Sequence, residues 1–309
     1  MRAPERVQSL DILRGLALLG MILVHVHQHL ELPSSGLEDA IPWIIWVGVE
    51  QKSWATFALL FGVGFAVQLR RMEAKDLPVT SLYLRRLLVL ALFGLPAHAL
   101  FGYRILLDYA FWGVPLLFMR RWSTRALLLA ALVSVTAFSL IEISSGTREW
   151  LTLGRQGADA ADSARGAAPN PTAVALQAAE NQPSYPVLVQ ARLRAIRAEY
   201  LRPSFLIPNV NLALFIFGFL ALRKGFFDSP RRHVRTIASI MAGGFLSWAL
   251  WWLVLREMDT SFVPQRIGHQ LQNGLGIIRE QWLAFTHVGG VVLLLAYRPE
   301  WGRRLSLFG

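Results

Sequence analysis

The sequence predicts an all-α polytopic integral membrane protein of about eight transmembrane helices with a cytoplasmic N-terminus, and three observations predict it. The 309 residues are 54% hydrophobic and only 17% charged, too apolar for a soluble globule with a mixed-charge surface. Apolar runs long enough to cross a hydrocarbon core of about 30 Å recur along the chain. Between them, Lys and Arg gather in short clusters, the pattern of inner loops of a membrane protein. The net charge of +11 is therefore a topology signal and does not point to nucleic acid. The absence of Cys excludes disulfides, thiolate catalysis and Cys-ligated metal.

The spans are read in order as 10–30, 53–69, 86–103, 104–119, 125–144, 204–222, 236–255 and 278–297. The first follows MRAPERVQS and ends in HVHQHLE, which lacks the small-residue cleavage site of a signal peptide. An apolar patch at 41–49, IPWIIWVGV, is too short to span and reads as interfacial or re-entrant. In the second span Ala58, Gly62 and Ala66 form a small-residue stripe that lets helix backbones approach closely, as do Ala242 to Gly244 and Gly289 with Gly290 later. The third and fourth spans share one apolar run broken at Gly102, Tyr103 and Arg104, so a tight hairpin is expected there. Several of the 11 Trp, including Trp43, Trp122, Trp282 and Trp301, stand at run ends, as in interfacial belts.

Charge sets the orientation. Arg2 and Arg6, then Arg70, Arg71, Lys75, Arg85 and Arg86, then Arg120, Arg121 and Arg125 all fall on one side, joined by the clusters at 223–235 and 298–304. The alternate short loops hold few cations, among them Lys52, Arg256 and Arg266. The organisation is thus a membrane bundle of about five helices over 1–144, an outer, periplasmic loop with short helices over 145–203, and a membrane segment of about three helices over 204–309. Within the loop, the Ala-, Gly- and Pro-rich stretch from 154 reads as a flexible segment with at most short helices, and 187–202 as a surface helix.

Chemistry is sought where ionisable groups enter these runs, because each costs at least about 2.5 to 3.5 kcal/mol there and by default marks a working site. Arg14 and His25 lie eleven residues apart in the first span, which puts them on one helix face about 16 Å apart along the axis. Asp11, one turn before Arg14, shares that sector, as does His29. His98, Arg104 and Asp108 fall with His25 in the outer half, where a shared pocket is expected, while Arg104 and Asp108 can also neutralise each other at i, i+4. His287 sits in the middle of the last span, in reach of a structural or a functional role. His25, His27 and His29 do not make a zinc site, since the middle ring points away from the others on a helix. No phosphate-cradling glycine loop, catalytic carboxylate pair or Ser nucleophile elbow is present, and no metal is expected.

The stretches ERVQSLDILRGLALLGMILVH, FALLFGVGFA (57–66), RRLLVLALFGLPAH (85–98) and ILLDYAFWG (105–113) resemble the YeiB-like family of bacterial inner-membrane proteins, a domain family of unknown function. The opening LD..RG element is similar in looser form to two kinds of transmembrane acyltransferase, the acyltransferase-3 type and the heparan-glucosaminide N-acetyltransferase type. In the former an Arg is followed eleven residues later by an essential His, the spacing of Arg14 and His25. His25 stands where YeiB-like proteins commonly carry Asn, and Tyr103-Arg104-Ile105-Leu106 replaces their Gly-Asp-Ile-Leu element, with Asp108 one turn away. The chain ends at RRLSLFG, where those relatives continue into further spans, so the resemblance implies a C-terminal truncation.

The resemblance implies residence in the bacterial inner membrane and acyl transfer across it. Acyl-CoA would be the donor substrate, with no tightly bound cofactor. Arg14 would anchor the donor or pair helices, His25 would act as general base toward an acceptor at the outer face, and Asp11, His98 and Asp108 would support the site. A small-molecule transporter or export component, or a non-catalytic membrane protein, stays open beside it, as do the acceptor and the oligomeric state.

Overall fold

The computed structural model describes residues 8–29, 45–168, 170–255 and 257–305. Arg2, Arg6, residues 41–44 of the apolar patch and residues 306–309 at the C-terminus lie outside them, as do the side chains of His27 and His29. The described residues form helices and no strand. These are α1 (Gln8–His29), α2 (Gln51–Glu73), α3 (Val79–Phe101), α4 (Ile105–Met119), α5 (Thr124–Ala167), α6 (Pro171–Glu180), α7 (Tyr185–Tyr200), α8 (Val210–Arg223), α9 (Val234–Leu250), α10 (Gln265–Tyr297) and α11 (Glu300–Leu305). Six helical stretches are long and apolar enough to cross a membrane, and two shorter apolar helices, Ile105–Met119 and Trp282–Tyr297, coincide with two further expected spans.

Two boundaries differ from the sequence expectation. A π-helical turn, Trp46–Glu50, runs directly into α2, so residues 46–49 of the patch begin the helical run that ends at Glu73 rather than forming a separate element. Gln51 and Lys52 are good helix formers, and no Pro interrupts the join. The Ala-rich stretch read as flexible is helical as well. It continues α5 to Ala167 through a kink at Gly154, whose φ of 69° suits glycine. The hairpin at 102–104 forms as expected, with Gly102 at φ 83° closing α3 and its N–H donating to the His98 carbonyl.

The helices divide into two compact units. Unit 1 comprises Met1–Arg71, Leu214–Met258 and Leu275–Gly309. Here the predicted small-residue stripe does its packing. A Cβ on Gly62 would collide with the Phe215 carbonyl, and one on Gly218 with the Leu59 carbonyl, so α2 and α8 touch backbone to backbone. Phe61 against Phe215 (4.5 Å) and Phe65 against Phe219 (5.5 Å) seal the crossing on either side. Gly244 admits the Trp282 carbonyl in the same way, and Gly289 admits the Met241 side chain. At the end of α2, Arg70 donates to Asp228 at 2.8 Å and to the Leu222 carbonyl at 2.6 Å, satisfying the C-terminus of α8.

Unit 2 comprises Met72–Ala213 and Asp259–Gly274. Its centre is the α3/α4 hairpin, with α7 laid against α3 and α6 against α7. Ser123 caps α5 by accepting from the Ala126 N–H, and Asn170 caps α6 ahead of Pro171. Arg266 reaches Glu142 at 2.8 Å and Glu149 at 2.8 Å, and Arg165 closes on Glu149 at 2.9 Å.

Candidate functional site

The polar residues of α1 sit on a helix whose Leu, Ile and Ala composition and freedom from Pro favour an unbroken run, with Asp11 placed in its first turn. Arg14 donates to Asp11 at 3.1 Å, and the two side chains are 42% and 22% exposed. The Arg14 guanidinium lies over Gly64, 3.7 Å from where a Cβ would stand, so α2 leaves room for it. A guanidinium has five N–H donors, and the Asp11 contact engages one of them. His25 is half-buried further along α1.

A second polar locus in unit 1 lies on another face of α1. A cavity of about 340 Å³ is bounded by α1, the start of α2 and α10. Lys52, Ser53, Thr56 and His287 supply its polar atoms, among walls that include Leu16, Leu23, Val49 and Val291. Lys52 is only 3% exposed. Gly20 sets its depth, because a Cβ there would overlap the Ser53 hydroxyl and Lys52 is therefore level with the middle of α1. Sequence reasoning placed Lys52 in an outer loop. The correction follows from the helix beginning earlier than expected, which draws Lys52 inside the span. At about 100° per residue, Arg14 and His25 lie about 120° and 140° around α1 from Gly20, so their stripe does not face this cavity.

In unit 2 the structure brings His98, Arg104 and Asp108 to one end of the α3/α4 hairpin. His98 is 8% exposed, and its two ring nitrogens face the carbonyls of Gly102 and Arg192, each at 3.2 Å. Neither nitrogen is left open to a substrate proton. Asp108 accepts from the Tyr200 hydroxyl at 2.7 Å and pairs with Arg104 at 3.3 Å, while Arg104 reaches Glu199 at 3.5 Å. Tyr200 stacks on Phe205, and Phe111 meets both rings. Burial, and then the bond to Asp108, push the Tyr200 phenol above its ordinary range. These contacts dock the end of α7 on the hairpin. Tyr200 is a partner that sequence reasoning did not single out, because 92 residues separate it from Asp108.

No group of three or more His, Asp or Glu placed to hold a metal ion occurs among the described residues. The carriers of chemistry are therefore the α1 stripe of Asp11, Arg14 and His25, the Lys52 cavity, and the His98/Asp108 cluster.

Comparison with known proteins covers residues of all three. An uncharacterized protein, YxaH, of Bacillus subtilis (strain 168) is 31% identical over 153 residues, covering 44% of this chain and 38% of its own length. An uncharacterized 39.9 kDa protein in the amylase 3' region of Bacillus acidopullulyticus is 40% identical over 100 residues, covering 31% of this chain and 29% of its own. The chain thus matches well under half the length of either relative. No solved structure matches. Residues 6–159, just under half of the chain and including Asp11, Arg14, His25, His98 and Asp108, match the family described as heparan-alpha-glucosaminide N-acetyltransferase, catalytic, and this part of the protein is therefore similar to the catalytic domain of a transmembrane acyltransferase.

Proposed function

We propose that this protein is a transmembrane acyltransferase of a bacterial inner membrane, moving an acyl group from cytoplasmic acyl-CoA to a hydroxyl or amine acceptor at the outer face. The observation that carries the reading is the match of residues 6–159 to an acetyltransferase catalytic domain, within which Arg14 and His25 share one face of α1. Arg14 would hold the phosphates of the donor at the inner end, where charge-assisted bonds to phosphate are strong. The pantetheine arm would rise along α1 over the roughly 16 Å to His25.

At that point the His25 imidazole takes the acceptor's proton as the acceptor heteroatom attacks the thioester carbonyl. The C–S bond breaks, the acyl group stays on the acceptor, and the CoA thiolate leaves and recovers the proton from the imidazolium. His98, with both ring nitrogens facing carbonyls, and Asp108, bound to Tyr200, support the fold of unit 2 rather than the proton transfer. Proteoliposomes of the chain test the reading. Labelled acetyl-CoA supplied on one side should yield acylated product from a bacterial membrane extract on the other, and an equal yield from His25→Ala would defeat it.

A further inference from the structure

Two of the Lys and Arg clusters that set the orientation in the sequence, 223–235 and 298–304, belong to unit 1, and its contacts gather them at one end of the helices. At the end of α2, Arg70 holds Asp228 at 2.8 Å and the Leu222 carbonyl, which fixes the loop after α8 beside Arg71. Gly225, at φ 79°, turns that loop back, and Phe226 packs on His233 with ring centroids 5.2 Å apart. Arg231 then donates to the Ala296 carbonyl at 2.8 Å and lies over the Tyr297 ring, so the turn leading into α9 is tied to the end of α10.

Little of this charge is neutralised. Residues 223–235 carry five Lys or Arg and residues 296–305 carry three, against one carboxylate in each, Asp228 and Glu300. Asp228 is taken by Arg70, and Glu300 faces Arg298 at 3.7 Å. Arg71, Lys224, Arg232 and Arg235 are exposed and make no hydrogen bond or ion pair among the described residues. Cations gathered in this way repel one another, and a bound anion relieves that repulsion.

The rings among them select the anion. Tyr297 and Trp301 are 53% and 41% exposed, with Arg231 over the first at 5.4 Å and Arg304 over the second at 5.3 Å. Tyr and Trp at the ends of apolar helices belong to the headgroup level of a bilayer, and α9 and the 282–297 part of α10 lead from here directly into apolar helix. We propose that Lys224, Arg231, Arg232 and Arg235, with Tyr297 and Trp301, form a binding surface for anionic phospholipid headgroups, the phosphodiesters on the cations and the rings beside the glycerol backbone. Clustered cations immediately beside a span are the electrostatic complement of such lipids. The surface uses none of the residues of the acyl-transfer reading and is independent of it.

The test titrates the purified full chain, immobilised in a neutral detergent, with radiolabelled phosphatidylglycerol and, separately, phosphatidylcholine. Phosphatidylglycerol should bind saturably and about tenfold or more tighter, and added salt should weaken it while sparing phosphatidylcholine. The double variant Arg232→Gln/Arg235→Gln should lower its affinity about tenfold, as loss of two cations at an anionic headgroup implies. Arg194→Gln, an exposed cation of α7 in unit 2, should leave it unchanged. A photoreactive phosphatidylglycerol on the unaltered chain should label peptides within 223–235 or 296–305, which reads the surface even if the double variant does not fold. Equal binding of phosphatidylcholine, an equal loss in Arg194→Gln, unchanged affinity in the folded double variant, or labelling confined to other peptides would each overturn the proposal. So would displacement of the lipid by equimolar glycerol 3-phosphate or coenzyme A, which would assign the surface to soluble phosphate.

Discussion

Gly20 of α1 and Ser53 of α2 approach so closely that a Cβ on Gly20 would overlap the Ser53 hydroxyl. This contact brings the first turn of α2 to the middle of α1, and Lys52 with it. Gly20→Val should therefore push the two helices apart and destabilise the protein by about 1 to 3 kcal/mol, the ordinary cost of overpacking. Thermal unfolding in detergent checks it, with Gly243→Val as the comparison, since a Cβ at Gly243 meets nothing within 4 Å.

The α2/α8 crossing is more severe, because Gly62 and Gly218 each face a partner's backbone carbonyl, which cannot turn aside as a side chain can. Gly62→Leu should lower the yield of folded protein far more than Phe61→Leu, which removes one ring of a stacked pair and leaves the backbones in contact. Size-exclusion profiles of the two variants measure the difference.

Tyr200→Phe removes the hydroxyl that Asp108 accepts from and should cost about 1 to 3 kcal/mol, the loss expected when a partly buried carboxylate is left short of a donor. Combined with Asp108→Asn, the double variant should lose less than the sum of the two single losses, because both act on one bond. Unfolding midpoints of the four proteins form the cycle. Donor binding should be unchanged in Tyr200→Phe if the pair only docks α7.

Asp259 accepts from the Ser261 N–H at 2.7 Å and from its hydroxyl at 2.9 Å, and these bonds, the backbone one first, hold its carboxyl below the ordinary range. Because its folded pKa is the lower one, the stabilisation is fully present above the unfolded value of about 3.9 and is lost as pH falls through the folded value. The protection of the Ser261 amide from exchange, relative to its intrinsic rate at each pH, should fall only below the ordinary carboxylate range. In Asp259→Ala the amide should be poorly protected at every pH, without that step.

The sequence made the membrane class, the hairpin at Gly102 and the tight packing of Gly62 legible, because each rests on local composition or on helical spacing. Lys52 was misread. An apolar patch followed by EQKS reads as a helix boundary, and only the continuous helix through a π turn shows that the lysine lies within the span. The helical character of 154–167 was hidden by its Gly and Asp, although its Ala content carries the helix. The roles of His98 and Asp108 depended on Arg192 and Tyr200, which no local pattern ties to them.

The central claim, that the α1 stripe serves an acyl donor, is tested most directly by equilibrium binding of radiolabelled acetyl-CoA to the purified full chain. Binding should be saturable and weaken about tenfold or more in Arg14→Ala, as loss of a charged hydrogen bond implies. Binding should be retained in His25→Ala while acyl transfer falls by about 10² to 10⁴. Absence of saturable binding, or binding and transfer unchanged in both variants, would contradict it.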